Sequence, residues 1–356
     1  MNTRPQRATS WLKKLGPRNI SAVYLLVAEV VFALLVIPQL FLQPSTIIAI
    51  LNNGTVVALL AVALTLPLAT GVYDLSVGST LALSGVVAGV LQTYFGLPLV
   101  FALVAALAVG AAVGAINAFL VVKVRIASLI ATLGMSTILI GLTVGVSGNQ
   151  QVAGLGADFL AISGTQFLGF SLGVYYLVAI AFVLYFVLEH TPAGRYLYAT
   201  GGNPEAARLA GVPTSRYVAL ALILCGVLAA FAGIVQASTI GLASKDIGPQ
   251  FLLPAFAAAF LGATQFKGGR FNVWGTILAV YTLATGAKIL ELWTQMFWLD
   301  DIFHGVVLIV AVGIASYAGS IRLGNWRGRG DRRARARDAA RAQKEEPAAV
   351  GATSGA

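Results

Sequence analysis

Residues 191–216 read TPAGRYLYATGGNPEAARLAGVPTSR, a polar interruption in a chain that is otherwise strongly apolar. The stretch carries the marks of a short helix. Asn203 suits an N-cap, Pro204 the first helical position, and Glu205 the positive end of the helix dipole. Gly211 suits the residue just past the helix end, and Pro213 blocks continuation. About two turns of helix are too short to be stable alone in water. Ala206, Leu209 and Ala210 fall at i, i+3 and i+4 and make one small apolar face. Two readings of this spacing stand: a helix built to dock into a partner's groove, or an ordinary loop holding a helical turn.

Outward from this stretch the chain is a membrane protein. Of 356 residues, 58% are hydrophobic and only 10% charged, and the mean hydropathy is +0.87. Soluble domains carry roughly 25% charged residues. The apolar runs are continuous and about 20 residues long, which points to helices rather than to a β-barrel of alternating strands. The expected fold is an all-α polytopic bundle. Its segments lie near 21–42, 55–73, 75–95, 98–122, 126–147, 172–189, 217–237, 251–264, 272–291 and 301–320.

The basic residues orient these segments. With the N-terminus inside, ten spans place 1–20, 123–125, 190–216, 265–271 and 321–356 in the cytoplasm. Those stretches hold five, two, three, two and nine Lys and Arg, or 21 of the 23. This is the asymmetry of the positive-inside rule. Eight spans with two re-entrant pieces satisfy the same charges. Three regions result: a basic cytoplasmic N-terminus, 1–20; a transmembrane domain, 21–320; and an Arg-rich cytoplasmic tail, 321–356, read as disordered or as touching anionic lipid. Both termini are expected in the cytoplasm.

Close helix packing is expected at the pairs Gly85/Gly89, Gly110/Gly114, Gly141/Gly145 and Gly169/Gly173, because small residues let helix backbones approach in a membrane. Residues 77–83, VGSTLAL, resemble 274–280, WGTILAV. Each follows a polar, glycine-containing break, a hint of two related halves.

Few polar groups stand in the apolar segments. They are Glu29, Asn52 and Asn53 before the second span, Asp74, Ser76, and Asn117 late in the fourth. Asp74 sits in GVYDLSVG, residues 71–78, between two apolar segments with almost no loop. A helix broken at membrane depth must have its free backbone groups satisfied by protein or by a water-filled cavity. Asp74 and Ser76 are therefore expected to cap a half-helix starting near Val77, and Asp74 with Asn52, Asn53 and Asn117 to line a pathway. No catalytic set is evident. His190 and His304 lack partners at metal-ligand spacing, Cys225 is alone in an apolar run, and no phosphate-binding loop occurs. An ion-coupled secondary carrier and a membrane scaffold remain alternatives to a pathway driven by a partner.

Three blocks resemble the permease subunits of bacterial ABC importers for monosaccharides of the ribose, xylose and galactose type. They are GVYDLSVGSTLALSG (71–85), TGGNPEAARLAGV (200–212) and FKGGRFNVWGT (266–276). The chain departs from the family pattern at Tyr73, at Arg270-Phe271 and over 238–250. The resemblance implies an importer in the bacterial cytoplasmic membrane, with no catalytic residue and no metal in this chain. Its implied partners are a second permease subunit, identical or similar, cytoplasmic ATPase subunits that bind ATP and Mg, an extracytoplasmic solute-binding protein and membrane lipid; no nucleic-acid partner is expected. It further implies that Gly202, Asn203, Pro204, Glu205, Ala206, Ala207, Arg208, Leu209 and Gly211 form the helix that couples to the ATPase. The outer loop 148–171, with Asn149, Gln150, Gln151 and Asp158, would receive the binding protein.

Overall fold

Among the described residues, nine apolar helices account for about half of the chain. A computed structural model describes residues 21–266, 269–296 and 298–313. The N-terminal region 1–20, the tail 321–356 and Lys267 therefore lie outside the described residues. The described residues up to 311 belong to one compact unit, and 312 and 313 to a second.

The helices are α1 (Ser21–Val36), a short α2 (Pro38–Phe41), α3 (Pro44–Ala69), α4 (Val77–Thr93), α5 (Leu99–Ala118), α6 (Ser128–Ser147), α7 (Ala157–Gly164), α8 (Leu172–His190), α9 (Pro192–Gly202), α10 (Pro204–Leu209), α11 (Thr214–Ile240), α12 (Pro249–Ala263) and α13 (Val273–Thr294). A further helix, α14, covers 299–313. Among the described residues, six helices are long and apolar enough to cross a membrane: those beginning at Pro44, Leu99, Ser128, Leu172, Thr214 and Val273. Helices α1, α4 and α12 are apolar but shorter.

Helix α11 is the axis of the bundle. It packs on α5, α4 and α3, while α13 packs on α12, α3 and α1. Its seat on α4 and α5 is made by glycine. A β-carbon on Gly110 would stand 2.4 Å from the Gly226 oxygen, one on Gly114 2.5 Å from the Leu222 oxygen, and one on Gly85 3.0 Å from the Gly233 oxygen. These helices touch backbone to backbone, as the small-residue spacing predicts. Gly89 likewise meets Leu155 and Val152, and Gly173 meets Ser163 and Thr55. Gly141 and Gly145 do not fit the expectation, because nothing lies within 4 Å of a β-carbon placed on either. They sit on an outward face of α6 beside the exposed Ile138 and Leu142. Gly169 is no packing residue either; with Leu168 it makes the left-handed two-residue turn of a hairpin, β2 (Gln166–Phe167) to β3 (Phe170–Ser171).

One boundary moves far. The second span starts at Pro44 rather than near 55, so Asn52 and Asn53 lie inside α3 instead of before it. Their polarity reads as a loop, but tertiary contacts override it: Gly54 packs on Tyr281, and the Asn52 side-chain oxygen accepts from the Ser171 N–H at 3.1 Å. The loop 148–171 is also ordered beyond expectation. It holds α7, and its strand β1 (Val152–Ala153) pairs antiparallel with β4 (Leu242–Ala243).

Candidate functional site

The polar interruption at 191–216 contains two helices where the sequence suggests one. Helix α9 was hidden by Gly194, Gly201 and Gly202, which look like loop residues. Thr191 caps it, its hydroxyl accepting from the Gly194 N–H, and Pro192 takes the first position. Gly194 is required by a close approach, since a β-carbon would stand 2.1 Å from the Leu188 oxygen.

Helix α10 forms as expected. The Asn203 side chain accepts from the Ala206 N–H at 3.0 Å, and Asn203 also ends α9. At the other end, the Val212 N–H reaches the Ala207 oxygen and the Gly211 N–H reaches the Arg208 oxygen, both at 3.0 Å, with Gly211 at φ +83°. This is the Schellman pattern. Ala207 and Val212 are buried behind it. Ala206, Leu209 and Ala210 face outward together, and Leu209 is 89% exposed. Glu205 and Arg208 lie 3.7 Å apart with both side chains largely exposed, so this pair contributes little. The helix is thus a doubly capped knob with an uncovered apolar face.

Between α3 and α4 the chain breaks, and its amide groups are met by protein. The Tyr73 N–H donates to the Ser128 hydroxyl at 3.1 Å, and the Leu75 N–H to the Thr132 hydroxyl at 3.0 Å. Asp74, 1% exposed, accepts at Oδ1 from the Ser76 N–H at 3.0 Å and the Ser76 hydroxyl at 2.6 Å. Asn117 donates to Ser76 Oγ at 2.8 Å and approaches Asp74 at 3.5 Å. Ser76 holds the N-cap position of α4, but its side chain does not cap the helix, because its hydroxyl is spent on Asp74. Asp74, Ser76 and Asn117 therefore form one buried cluster.

A second break, 264–272, precedes α13. Asn272 caps α13 by accepting from the Gly275 N–H at 2.8 Å, and its amide donates to the carbonyls of Gly262, Gln265 and Arg270. Both resembling heptapeptides thus sit at the start of a helix that follows a side-chain-secured break. Arg270 stacks 3.6 Å from the Tyr198 ring centroid, and the Tyr198 hydroxyl donates to the Phe271 oxygen at 2.7 Å. Burial raises the Tyr198 phenol above its usual range while Arg270 opposes the shift.

Asn53 parts from its neighbour Asn52. It lines a cavity of about 790 Å³ between α3, α12, α13 and α14. Gln250, Lys288, Glu291, Asp300 and His304 contribute polar groups, above a floor of Ile50, Val57, Val280 and Leu283. Of the five residues expected on a pathway or at a helix break, Asp74, Ser76, Asn52, Asn53 and Asn117, only Asn53 lines this cavity. Gln250 and Asp300 gave no sequence signal, since each stands in the first turn of its helix, one residue before the apolar segment expected there. On the loop 148–171 Asn149, Gln150 and Gln151 are exposed, while Asp158 accepts from Gln92 at 2.8 Å.

Comparison with known proteins gives the arrangement its setting. Residues 46–312 match the family described as "Branched-chain amino acid transport system / permease component". The chain is 34% identical over 308 residues to the ribose import permease protein RbsC of Escherichia coli K12, covering 83% of this chain and 96% of that one. It is 31% identical over 287 residues to RbsC of Haemophilus influenzae, covering 80% and 88%. It is 33% identical over 311 residues to the autoinducer 2 import system permease protein LsrC of Salmonella typhi, covering 87% and 88%. With its bundle of membrane-spanning helices, the chain belongs to this family of transport-system permease components and is the permease subunit of an ABC importer rather than an enzyme.

Proposed function

We propose that the chain carries a monosaccharide, or a solute of similar size and polarity, across the bacterial cytoplasmic membrane. The observation that carries the coupling is α10. A helix of six residues, capped at both ends and offering Leu209 almost fully to solvent, is stabilised for a contact outside the chain. Its partner is a cytoplasmic ATPase that binds ATP and Mg, and residues 202–211 enter its groove. The basic segments place α9 and α10, with both termini, on the cytoplasmic side. A second permease subunit completes the pathway, and a solute-binding protein docks on the outer loop at Asn149, Gln150 and Gln151. The solute class rests on the relatives, which import ribose and autoinducer 2 by name.

The test is to co-express the chain with candidate ATPases, isolate the complex, and screen sugar-loaded binding proteins for stimulation of ATP hydrolysis. Leu209→Asp is expected to weaken the ATPase complex about 30-fold, the equivalent of roughly 2 kcal/mol for one buried leucine. Titration of labelled ATPase against permease in nanodiscs measures it; unchanged affinity places the coupling elsewhere.

The cavity at Asn53 serves as the solute's seat in this reading. Amide and carboxylate groups around an apolar floor suit a polyhydroxylated ligand. Asn53→Ala is expected to raise the KM of uptake about fivefold, the weight of one net hydrogen bond of about 1 kcal/mol. A KM equal to that of the unaltered importer would remove Asn53 from the pathway.

A further inference from the structure

Helix α9 has two separate seats on the bundle. At its C-terminal end the bare α-carbon of Gly201 lies on the turn that closes α3. A β-carbon there would stand 2.2 Å from the Ala69 oxygen and 3.0 Å from the Thr70 carbonyl carbon, and one on Gly71 would stand 3.6 Å from the Gly201 α-carbon. Three residues earlier, the Tyr198 hydroxyl holds the Phe271 oxygen. Arg270 lies across the Tyr198 ring and reaches Glu189 of α8 at 4.0 Å. One helix therefore grips the turn before the first break and the residue before the cap of the second.

The two breaks are also joined directly. Tyr73 stacks on Phe260 at 6.4 Å between centroids, and Phe260 meets the Phe271 ring edge-on at 5.5 Å. The contacts close a ring: Gly201, Gly71, then Tyr73 two residues on, Phe260, Phe271 and Tyr198. Side chains packed in this way transmit strain from one to the next. At the other end a single residue, Asn203, separates α9 from α10, ending the first and capping the second.

We propose that Tyr198 and Gly201 are positioning residues that make α9 a rigid lever, delivering displacement of α10 to both helix breaks at once. The inference rests on the importer reading above, and it adds a second point of transmission that α10 alone does not supply. It predicts that loosening either seat separates ATP hydrolysis from the movement of the pathway without dissolving the complex.

The experiment uses the full chain with its ATPase in nanodiscs, carrying Asn53→Cys and Cys225→Ala. Maleimide labelling of the introduced thiol is timed with and without ATP, beside ATP hydrolysis. The parent is expected to show an ATP-dependent change in labelling rate. Tyr198→Phe, which removes only the hydroxyl, is expected to shrink that change about fivefold while hydrolysis persists, as loss of one net hydrogen bond between coupled elements allows. Gly201→Ala, which sets a β-carbon against Ala69, is expected to shrink it further. Labelling as in the parent for both variants overturns the lever. Loss of assembly in Tyr198→Phe overturns it as well, because the contact is then structural only. A parent with no ATP-dependent change contradicts the importer reading itself, which is a different result.

Discussion

Gly226→Val is expected to abolish the folded protein, while Gly141→Val leaves it intact. Both replacements put the same side chain on an apolar membrane helix, and both sites belong to small-residue spacings of the same kind. They differ in what a side chain would meet. A β-carbon on Gly226 stands 2.3 Å from the Gly110 oxygen, and the reciprocal one on Gly110 stands 2.5 Å from the Ala230 β-carbon. The obstacle is helix backbone, which has no rotamer to change. On Gly141 nothing lies within 4 Å. An inserted methylene costs about 1–3 kcal/mol where neighbours can yield; Val adds three carbons where they cannot. Folded proteins hold a margin of about 5–15 kcal/mol, and in lipid the attraction between helices is largely the close packing this change removes. The check is the monodisperse fraction on size exclusion and the melting temperature in detergent. Equal values for the two variants would mean that the α5–α11 crossing does not hold the bundle.

The same contrast shows what sequence conveys here. Glycine spacing states that two helices can approach, but the partner is named by the fold, so Gly110 and Gly141 read alike. Local signals were legible. Asn203, Pro204 and Gly211 act within a few residues of each other, and their roles stand as read. The break at 71–76 was legible too, because glycine and an acidic residue between apolar runs leave a membrane chain few options. The groups that satisfy it were not. Ser128 and Thr132 reach Tyr73 and Leu75 across 55 and 57 residues of sequence, and the bond from Tyr198 to Phe271 crosses 73. Helix α9 was missed because three of its glycines and its proline mimic a loop, when Gly194 and Gly201 are small only to let backbone pass backbone. Asn52 and Asn53 are adjacent and chemically identical, yet one ties down the outer loop and the other faces the cavity. Their difference of about 100° around a helix is positional, and it takes effect only once the neighbours of α3 are known.

Asp74→Leu is expected to destroy the first break, and Asp74→Asn to preserve most of it. The carboxylate works as an acceptor rather than as a charge: its Oδ1 receives the Ser76 amide and hydroxyl, with Asn117 at 3.5 Å. No Lys or Arg forms an ion pair with it among the described residues. Asn keeps a carbonyl oxygen where Oδ1 stands, so the turn that starts α4 can survive. Leu is close in size but accepts nothing, and the Ser76 N–H and O–H are left buried without their partner. Each unmet donor costs about 1–3 kcal/mol, which together is a large share of a marginal stability. Asn117 tests the geometry independently. Its shorter bond, 2.8 Å, goes to Ser76 rather than to Asp74, so Asn117→Leu should cost less than Asp74→Leu, and the two losses should fall short of additivity because they share Ser76. Thermal melts of the single and double variants in detergent measure both statements. A fully additive pair, or an Asp74→Leu protein that melts with the parent, would show that the cluster does not secure the break. If the order holds, the residue that most resembles an ion-binding group in this bundle is there to let a helix stop and start again inside the protein.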